Sequence, residues 1–572
     1  MTAPTSPLIT LINPNKVHPP ITPYALDVLT TELEQHGYTA EVVDLCFERD
    51  SWPRLLEDYF TSRPPPLLVG FSVRNTDNLY AQQQRVFLPE HREIVRKIRS
   101  LTPAPLVGGG VGFSATPFAC VDYLGLDFGV KGPGERVLVD LADRLSRRED
   151  PALVPGLLVN HGDGRVTRSA TPDPDTALGA VGEVGVRQSR AWQVDTASAY
   201  TRRSGDRWKV DNLGYYERGG LGNILTKNGC PYACAHCVEP DAKGTAFAKR
   251  SVHAVVDELT ELLDQGVYDV HTADSEFNLA IANSKAVLRE IVRRKNTTPG
   301  SSLHRLRLWI YAQPKPFDEE FAELLAAAGC AGVNVAPDHV RDDLLDGWKV
   351  TSKGTRYYTW ADTAHAVELC RKYGMASLVE VLAGMPGETW QTLREAMDRT
   401  LALDATVAGF SLGLRCFPYQ PLGLWLARQS AGVRHEPGTQ SNTATEPIVL
   451  RTAEQCASPV EYERQFLFQP DGALRPVFYF SPGLPEDPDT LADPAGRRLR
   501  TVELMWDHVA PADYPRVMLP TAPGSSKDDN NYADNPFLAA LTALGYRGAF
   551  WAKWRDRESI IAEAARATAG TA

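Results

Sequence analysis

The sequence predicts an α/β chain: two units built on parallel sheets, a loop-rich connector between them, and an irregular C-terminal segment. Three observations carry that expectation. Strand-like apolar runs alternate with helix-spaced segments over residues 8–147, the pattern of an open parallel sheet with helices on both faces. The alternation lapses over 160–215, where Gly, Pro, Asp, Ser and Thr dominate. It resumes near 221 and runs through six βα units, enough for a partial (β/α)6 barrel.

In the first unit, the apolar run 8–12 ends at Asn13-Pro14, a strand then a loop. Residues 24–36 carry Leu26, Val28, Leu29 and Leu33 at helical spacing and stop at Gly37. Strands follow at 40–45 and 67–73, then at 105–107, which runs into Gly108-Gly109-Gly110, and at 128–130; a helix is expected over 135–145. This unit is expected to be Rossmann-like, of the flavodoxin-like kind, with ligands at the carboxyl ends of its strands. In the second unit, strands are expected at 221–225, 267–273, 306–311, 332–336, 378–383 and 407–414. The helices between them fall at 252–265, 284–294, 319–328, 361–373 and 389–401. Beyond 430 only 560–567 is clearly helical. The expected domains are 1–159, a linker over 160–215, a barrel over 216–429, and a C-terminal substrate or cap domain over 430–572.

The 572 residues carry a formal net charge of −11, which argues against nucleic-acid or anionic-membrane partners. No apolar run approaches the ~20 residues that cross a bilayer, and residues 1–14 lack a basic segment ahead of their apolar run. The expected location is cytoplasmic. Nine scattered cysteines, an odd number, point to a reducing compartment and not to a disulfide scaffold.

Three of the nine lie in Cys230-Pro-Tyr-Ala-Cys234-Ala-His-Cys237. Thiolates at this spacing suit three irons of one cubane, leaving the fourth iron for another ligand. The motif follows the first barrel strand and the loop Thr226-Lys227-Asn228-Gly229, where such folds place chemistry. Two blander readings are three unrelated buried cysteines and a zinc site. Zinc calls for a fourth Cys or His at matching spacing, and His236, between two ligating positions, is better placed to pack beside a cluster.

The motif resembles that of the radical-SAM superfamily. Gly384-Met-Pro-Gly387-Glu388-Thr389 resembles the GxPGET turn of many members. Ala273-Asp274-Ser275-Glu276-Phe277-Asn278 ends the second barrel strand, where members place residues facing S-adenosylmethionine. Gly108-Gly109-Gly110 and Gly132-Pro133-Gly134-Glu135 resemble the GG and GEGE turns of cobalamin-binding members, and Val154-Pro155-Gly156-Leu157 the iPG that follows. Each turn alone is generic; their order and spacing carry the resemblance, which covers residues 8–425. The chain is thus similar to cobalamin-dependent radical-SAM methyltransferases. That resemblance implies a [4Fe–4S] cluster on Cys230, Cys234 and Cys237, and S-adenosylmethionine near Asp274 and Gly387. It implies cobalamin near Arg74, Asn75, Gly108, Gly109, Gly110, Gly132, Gly134 and Glu135. It also implies a small-molecule substrate and an electron donor that primes cobalamin.

Some cobalamin proteins supply an axial histidine from an Asp-x-His-x-x-Gly loop. That motif is absent here, and His18 in Asn13-Pro-Asn-Lys-Val-His18 reads as a loop residue. In the family, the loop after the third strand, Phe71-Ser72-Val73-Arg74-Asn75, lies under the corrin. Arginine has no lone pair to give cobalt, and a fixed cation favours electron-rich four-coordinate Co(I). The other reading of Arg74 is a partner for a carboxylate at the sheet edge.

Arg74, Glu276 and Tyr311 together are similar to the tryptophan 2-C-methyltransferases of thiopeptide antibiotic biosynthesis. By that likeness Arg74 lies beneath cobalamin, Glu276 fills the fourth iron position, and Tyr311 lies near the substrate, tryptophan or a similar indole. Most relatives read DD-x-F where this chain has Asp-Ser-Glu-Phe. A carboxylate on the open iron would suppress reductive cleavage of S-adenosylmethionine and leave a polar route through methylcobalamin to indole carbon 2. Glu276 could instead bond the amino group of S-adenosylmethionine, and Tyr311 could be a barrel-core tyrosine. Two further readings stay open: radical methylation of an sp3 carbon through a 5′-deoxyadenosyl radical, and a non-catalytic or light-sensing corrinoid protein, against which the intact cysteine motif counts. The aromatics of the C-terminal segment (Phe466, Phe468, Phe478, Tyr479, Phe480, Trp506, Tyr532, Phe537, Trp551, Trp554) suit a pocket wall for a planar substrate or the core of a cap.

Overall fold

The computed structural model describes residues 6–81, 85–169, 202–351, 353–431, 439–441, 450–468, 472–485, 494–520 and 535–569. Its first sheet comprises β1 (Leu8–Asn13), β2 (Thr39–Asp44), β3 (Leu68–Ser72), β4 (Leu106–Gly109), β5 (Phe128–Gly129), β6 (Leu158–Asn160) and β7 (Val166–Arg168), in the order β2-β1-β3-β4-β5-β6-β7. The first five strands are parallel and the last two pairings antiparallel. Order 2-1-3-4-5 is that of flavodoxin-like sheets, whose ligand crevice opens where the order reverses, here between β1 and β3. Alternating side chains bury both faces. Ile9, Leu11, Val42 and Val107 pack under helices Tyr24–Gln35 and Glu135–Arg147. Ile12, Val43, Val69 and Phe71 pack under Trp52–Ser62, Leu88–Leu101 and Pro117–Leu124. Thr10 is the polar member of the first run; its hydroxyl lies 2.9 Å from that of Tyr59.

The second unit contains β8 (Gly222–Ile224), a two-stranded ribbon of β9 (Lys227–Asn228) and β10 (Ala248–Lys249), then β11 (Asp269–Thr272), β12 (Arg307–Ala312), β13 (Cys330–Asp338), β14 (Ala376–Ala383) and β15 (Val407–Leu412). Strands β8 and β11–β15 form one parallel sheet with the expected order. Val270, Leu308, Ile310, Val333 and Val335 face the outer helices. By strand alternation His271, Trp309, Tyr311 and Asn334 face the concave side.

The C-terminal segment is more regular than its sequence pattern predicts. After β16 (Leu414–Arg415) and β17 (Thr439–Ser441), β18 (Val477–Tyr479) pairs with both. β19 (Val517–Met518) then joins β15 as a seventh parallel strand of the barrel sheet. Helices Pro459–Arg464, Pro494–His508 and Pro536–Ala543 precede the expected terminal one, Arg557–Ala569. Two of them are too short for a helical period to register. Their signals are local: Ser458 and Asn535 caps, each followed by proline at the first helical position. Most of the C-terminal aromatics are core. Phe478 and Phe480 pack with Met397 and Phe410, Phe466 and Tyr479 with Leu414 and Leu426, and Phe537, Trp551 and Trp554 with Trp309 and Leu378. Tyr532, and residues 170–201 of the expected connector, lie outside the described residues.

Buried polar groups tie the two sheet units together. Arg202 forms ion pairs with Asp27 of the first unit and Glu258 of the second, each at 3.1 Å. Asp77 pairs with Arg415 at 3.1 Å, and Lys131 with Asp241 at 2.9 Å.

Candidate functional site

The cysteine loop begins where the β9–β10 ribbon ends. Its backbone is pinned from outside: Cys230 N donates to Gly244 O at 2.9 Å, Ala233 N to Val350 O at 2.9 Å, and Ala235 N to Trp348 O at 2.8 Å. The last two bonds bracket Cys234. Burial, then the mutual proximity of the thiols, pushes Cys230 up to about 12 and Cys237 well above the thiol range. Burial raises Cys234 to about 11. Such thiols stay protonated until a cation replaces the proton. His236 Nδ1 is buried without a partner among the described residues. No three His, Cys, Asp or Glu side chains among those residues converge as one tetrahedral ion requires; a cubane, which spreads its ligands over several irons, makes no such demand.

The end of β11 faces this loop. Asp274 is buried, and its carboxylate already accepts from Thr226 N (2.7 Å), Thr226 Oγ1 (2.5 Å) and Lys227 Nζ (2.8 Å). It therefore ties β11 to β9 instead of presenting free oxygens. Glu276 differs. Its Oε1 accepts from Gln313 Nε2 at 2.9 Å, while Oε2 is buried with no hydrogen-bond partner among the described residues. Burial pushes this carboxyl up to about 8, and its charge acts on Cys230 and Cys234. Tyr311, at the end of β12, is 42% exposed on the concave side, not buried in a barrel core. Its ring meets His271 edge-on at 4.8 Å. His271 Nδ1 lies 2.6 Å from Thr272 O, so Nδ1 carries the proton, and burial pushes the imidazole down to about 4. Gly387, at φ +87°, turns the loop before helix Trp390–Leu401. The neighbouring Glu388 is consumed inside that turn by His339 at 2.8 Å and by the Gly384 N–H.

The crevice of the first sheet is lined by Pro14–Val17, Arg74, Asn75, Arg85, Phe87, Glu90 and His91. Arg74 Nη1 donates to Asn75 Oδ1 at 2.7 Å, and no carboxylate among the described residues forms an ion pair with it. Its charge nevertheless reaches the barrel. Burial would raise Glu239, beside the cysteine loop, but Lys243, Ser275 and Arg74 outweigh it and hold that carboxyl below its ordinary value. Above Arg74 the glycine turn closes in. Gly110, at φ +113°, sits where a Cβ would lie 2.6 Å from Val73 O, whereas Gly109 meets nothing nearer than 3.8 Å. Ser114 Oγ donates to Gly110 O (2.8 Å) and accepts from Gly132 N (3.0 Å), joining the two glycine turns. Gly134 caps helix Glu135–Arg147, and burial raises the Glu135 carboxyl to about 7, with Oε2 unpartnered among the described residues. At Gly108, Phe113 and Leu126 crowd the place a side chain would take, so its missing side chain also serves packing.

Sequence reasoning missed Gln313, Tyr357 and His271. Gln313 sits two residues past Tyr311 at a strand end, a position worth reading as site-facing; nothing local marks Tyr357.

Residues 224–400 match the family model described as the radical SAM superfamily. The tryptophan 2-C-methyltransferase of Streptomyces laurentii is 56% identical over 582 residues, covering 97% of each chain. The structure of the radical S-adenosylmethionine methyltransferase TsrM from Kitasatospora setae, with cobalamin and a [4Fe–4S] cluster bound, superposes with a TM-score of 0.92 at 57% identity, covering 99% of this chain and 100% of that one. The same enzyme with tryptophan and the S-adenosylmethionine analogue aza-SAM bound gives 0.91 at 57% identity, covering 98% and 100%. With likeness of this extent in both sequence and structure, the chain belongs to the tryptophan 2-C-methyltransferase family, within the radical SAM superfamily.

Proposed function

We propose that this chain methylates carbon 2 of L-tryptophan, taking the methyl group from S-adenosylmethionine by way of cobalamin, without radical cleavage of the sulfonium. The carrying observation is the buried, unpartnered Oε2 of Glu276 beside a three-cysteine loop, in a chain 56% identical to an enzyme named for this reaction. Cys230, Cys234 and Cys237 hold the [4Fe–4S] cluster and Glu276 takes its fourth iron; the donor set fits, with three thiols and one orphaned carboxylate oxygen. With that iron closed, S-adenosylmethionine has no chelation site, and reductive cleavage has no route.

Cobalamin, when bound, supplies the metal nucleophile that accepts the methyl group and presents it to carbon. The chain's own residues do the rest. Arg74 and Asn75 lie below it, offering a cation and an amide but no lone pair fit for cobalt. Gly109 and Gly110 let the backbone approach closely, and Gly132 and Gly134 bring Glu135 to a helix start. Tyr311 and His271 face the indole; His271, neutral with its proton on Nδ1, offers Nε2 as an acceptor. Asp274 and Gly387 shape the walls of the S-adenosylmethionine site. An electron donor restores the reduced cofactor, and the enzyme works in the cytoplasm.

The test is anaerobic turnover with cobalamin, S-adenosylmethionine and tryptophan. 2-Methyltryptophan and S-adenosylhomocysteine should form one for one, without 5′-deoxyadenosine. Stoichiometric 5′-deoxyadenosine would instead mark the radical route, and absence of methyltryptophan would refute the substrate.

A further inference from the structure

The two oxygens of Glu276 are in unlike surroundings. Oε1 accepts a hydrogen bond from the Gln313 amide at 2.9 Å, and Oε2 has no partner among the described residues. Gln313 itself is clamped. Its N–H donates to Asn278 Oδ1 at 2.9 Å, its carbonyl accepts from Asn278 Nδ2 at 2.8 Å, and its Oε1 accepts from the Tyr357 hydroxyl at 3.0 Å. The carboxylate, which only accepts, selects the amide orientation, and the Tyr357 hydroxyl holds the other end of the amide. Rotated by half a turn, Gln313 would set its oxygen against the carboxylate of Glu276 and lose the donor. Tyr357 is oriented in turn by Tyr232, on which it stacks at 4.0 Å with the rings 3° from parallel. Tyr232 lies between Cys230 and Cys234. The backbone of Glu276 is held as well, its carbonyl accepting from Lys227 Nζ at 2.8 Å.

We propose that Gln313, with its amide held in place by Tyr357, is a positioning residue that makes Glu276 a one-oxygen ligand, occupying Oε1 so that Oε2 alone meets the fourth iron. The proposal rests on the reading of Glu276 as that ligand. A carboxylate with both oxygens unengaged can chelate through two oxygens or swing off the metal; a directed hydrogen bond to one oxygen removes both freedoms, as outer-shell partners do at other metal sites. The stack on Tyr232 carries the register of the cysteine loop to the carboxylate.

The test reads the cluster and not turnover. The reconstituted, reduced protein is examined by EPR before and after addition of S-adenosylmethionine, with iron counted per chain. In the wild type the cluster signal should not move, because its fourth iron is closed. Glu276→Ala opens that iron, and its signal should move. Gln313→Leu should retain wild-type iron and show the larger part of its signal moving. Tyr357→Phe, which keeps the stack and loses only the hydroxyl, should show a smaller moving fraction. A silent Glu276→Ala would refute Glu276 as the ligand. A responsive Glu276→Ala beside silent Gln313→Leu and Tyr357→Phe would overturn the positioning role and leave the ligand intact. Loss of the whole cluster from both positioning variants would overturn it too.

Discussion

Two adjacent glycines of the first sheet make opposite predictions. Gly110 holds φ +113°, a region nearly closed to other residues, and an added Cβ would lie 2.6 Å from Val73 O. That carbonyl cannot retreat cheaply, because it accepts from Phe113 N at 3.1 Å while Val73 N donates to Gly109 O at 2.7 Å. Backbone strain costs about 1–3 kcal/mol and overpacking about 1–3 kcal/mol; with partial relaxation, about 3 kcal/mol, in the lower half of their sum, is expected for Gly110→Ala. In a unit of this size that lowers Tm by about 6–12 °C. Where relief instead displaces Val73 and Arg74, the same cost becomes roughly 100-fold weaker cobalamin retention. Gly109→Ala meets no such clash: its φ is negative or extended, and its Cβ would lie in ordinary contact, 3.8 Å from Val130 O. Its Tm should stay at the wild-type value while cobalamin retention falls, because the new methyl occupies the cofactor's side of the turn. The assay is corrinoid absorbance per chain after gel filtration, alongside thermal unfolding of cofactor-free protein. Wild-type corrinoid content in Gly109→Ala would show that this face does not meet cobalamin. An unchanged Tm and corrinoid content in Gly110→Ala would refute the strain reasoning itself.

Arg202→Met should cost about 3–5 kcal/mol in urea unfolding, the typical loss on removing one partner of a buried ion pair. Glu258 keeps Arg250 at 2.6 Å, so the stranded charge is Asp27, and adding Asp27→Asn should recover most of the loss; an Arg202→Met curve identical to wild type would refute this. Glu463 is buried and bonded to Tyr419 Oη at 2.6 Å and Ala119 N at 2.8 Å, and burial pushes it up to about 8. The native state then binds a proton that the unfolded state has released, so stability falls as pH rises from about 4.5 to about 8 and levels off above. Glu463→Gln should flatten that slope, and an unchanged pH profile would count against it. Cys234→Ala should lose the iron chromophore yet keep corrinoid binding, since the two sites sit on different sheets; iron content equal to wild type would exclude Cys234 as a ligand.

The architecture was legible because it rests on long, two-sided burial. Strands such as β1 and β14 are near-continuous apolar runs, and helices such as Glu319–Ala328 carry a full period between Asp318 and Gly329. β19, with two residues, and helix Pro459–Arg464, with six, are too short for any period, and tertiary contacts decide them. The family was legible where chemistry demands particular residue types: the cysteine triplet pointed to the radical SAM superfamily, whose model matches residues 224–400. Several motif residues also carry contacts that no motif announces: Asp274 bonds Thr226 and Lys227, Glu388 bonds His339, and Gly108 is crowded by Phe113. Gln313 and Tyr357 escaped because their roles come from a hydrogen bond and a ring stack between strand ends and loops more than forty residues apart. Sequence spacing carries no trace of such a contact.

A methyl group handed from one unit to a substrate in another requires the two to keep one separation. The contacts between them suit that purpose better than they suit stability. Lys131 and Asp241 pair at 2.9 Å with little solvent access, and Asp241 also takes a bond from Gln420. Such a pair recovers its desolvation cost only at good geometry, so replacing it with neutral groups is often harmless to stability while a half-made pair is expensive. An apolar interface would tolerate sliding; a buried ion pair penalises it steeply. Combined Lys131→Met and Asp241→Asn, which keeps a partner for Gln420, should therefore leave Tm within about 2 °C of wild type and both cofactors bound. Methyl transfer should slow roughly tenfold or more, in line with the sensitivity of positioned reactions to ångström displacements. Unimpaired turnover at unimpaired stability would mean that the separation is set elsewhere, with Arg202 and Asp27 the next pair to test.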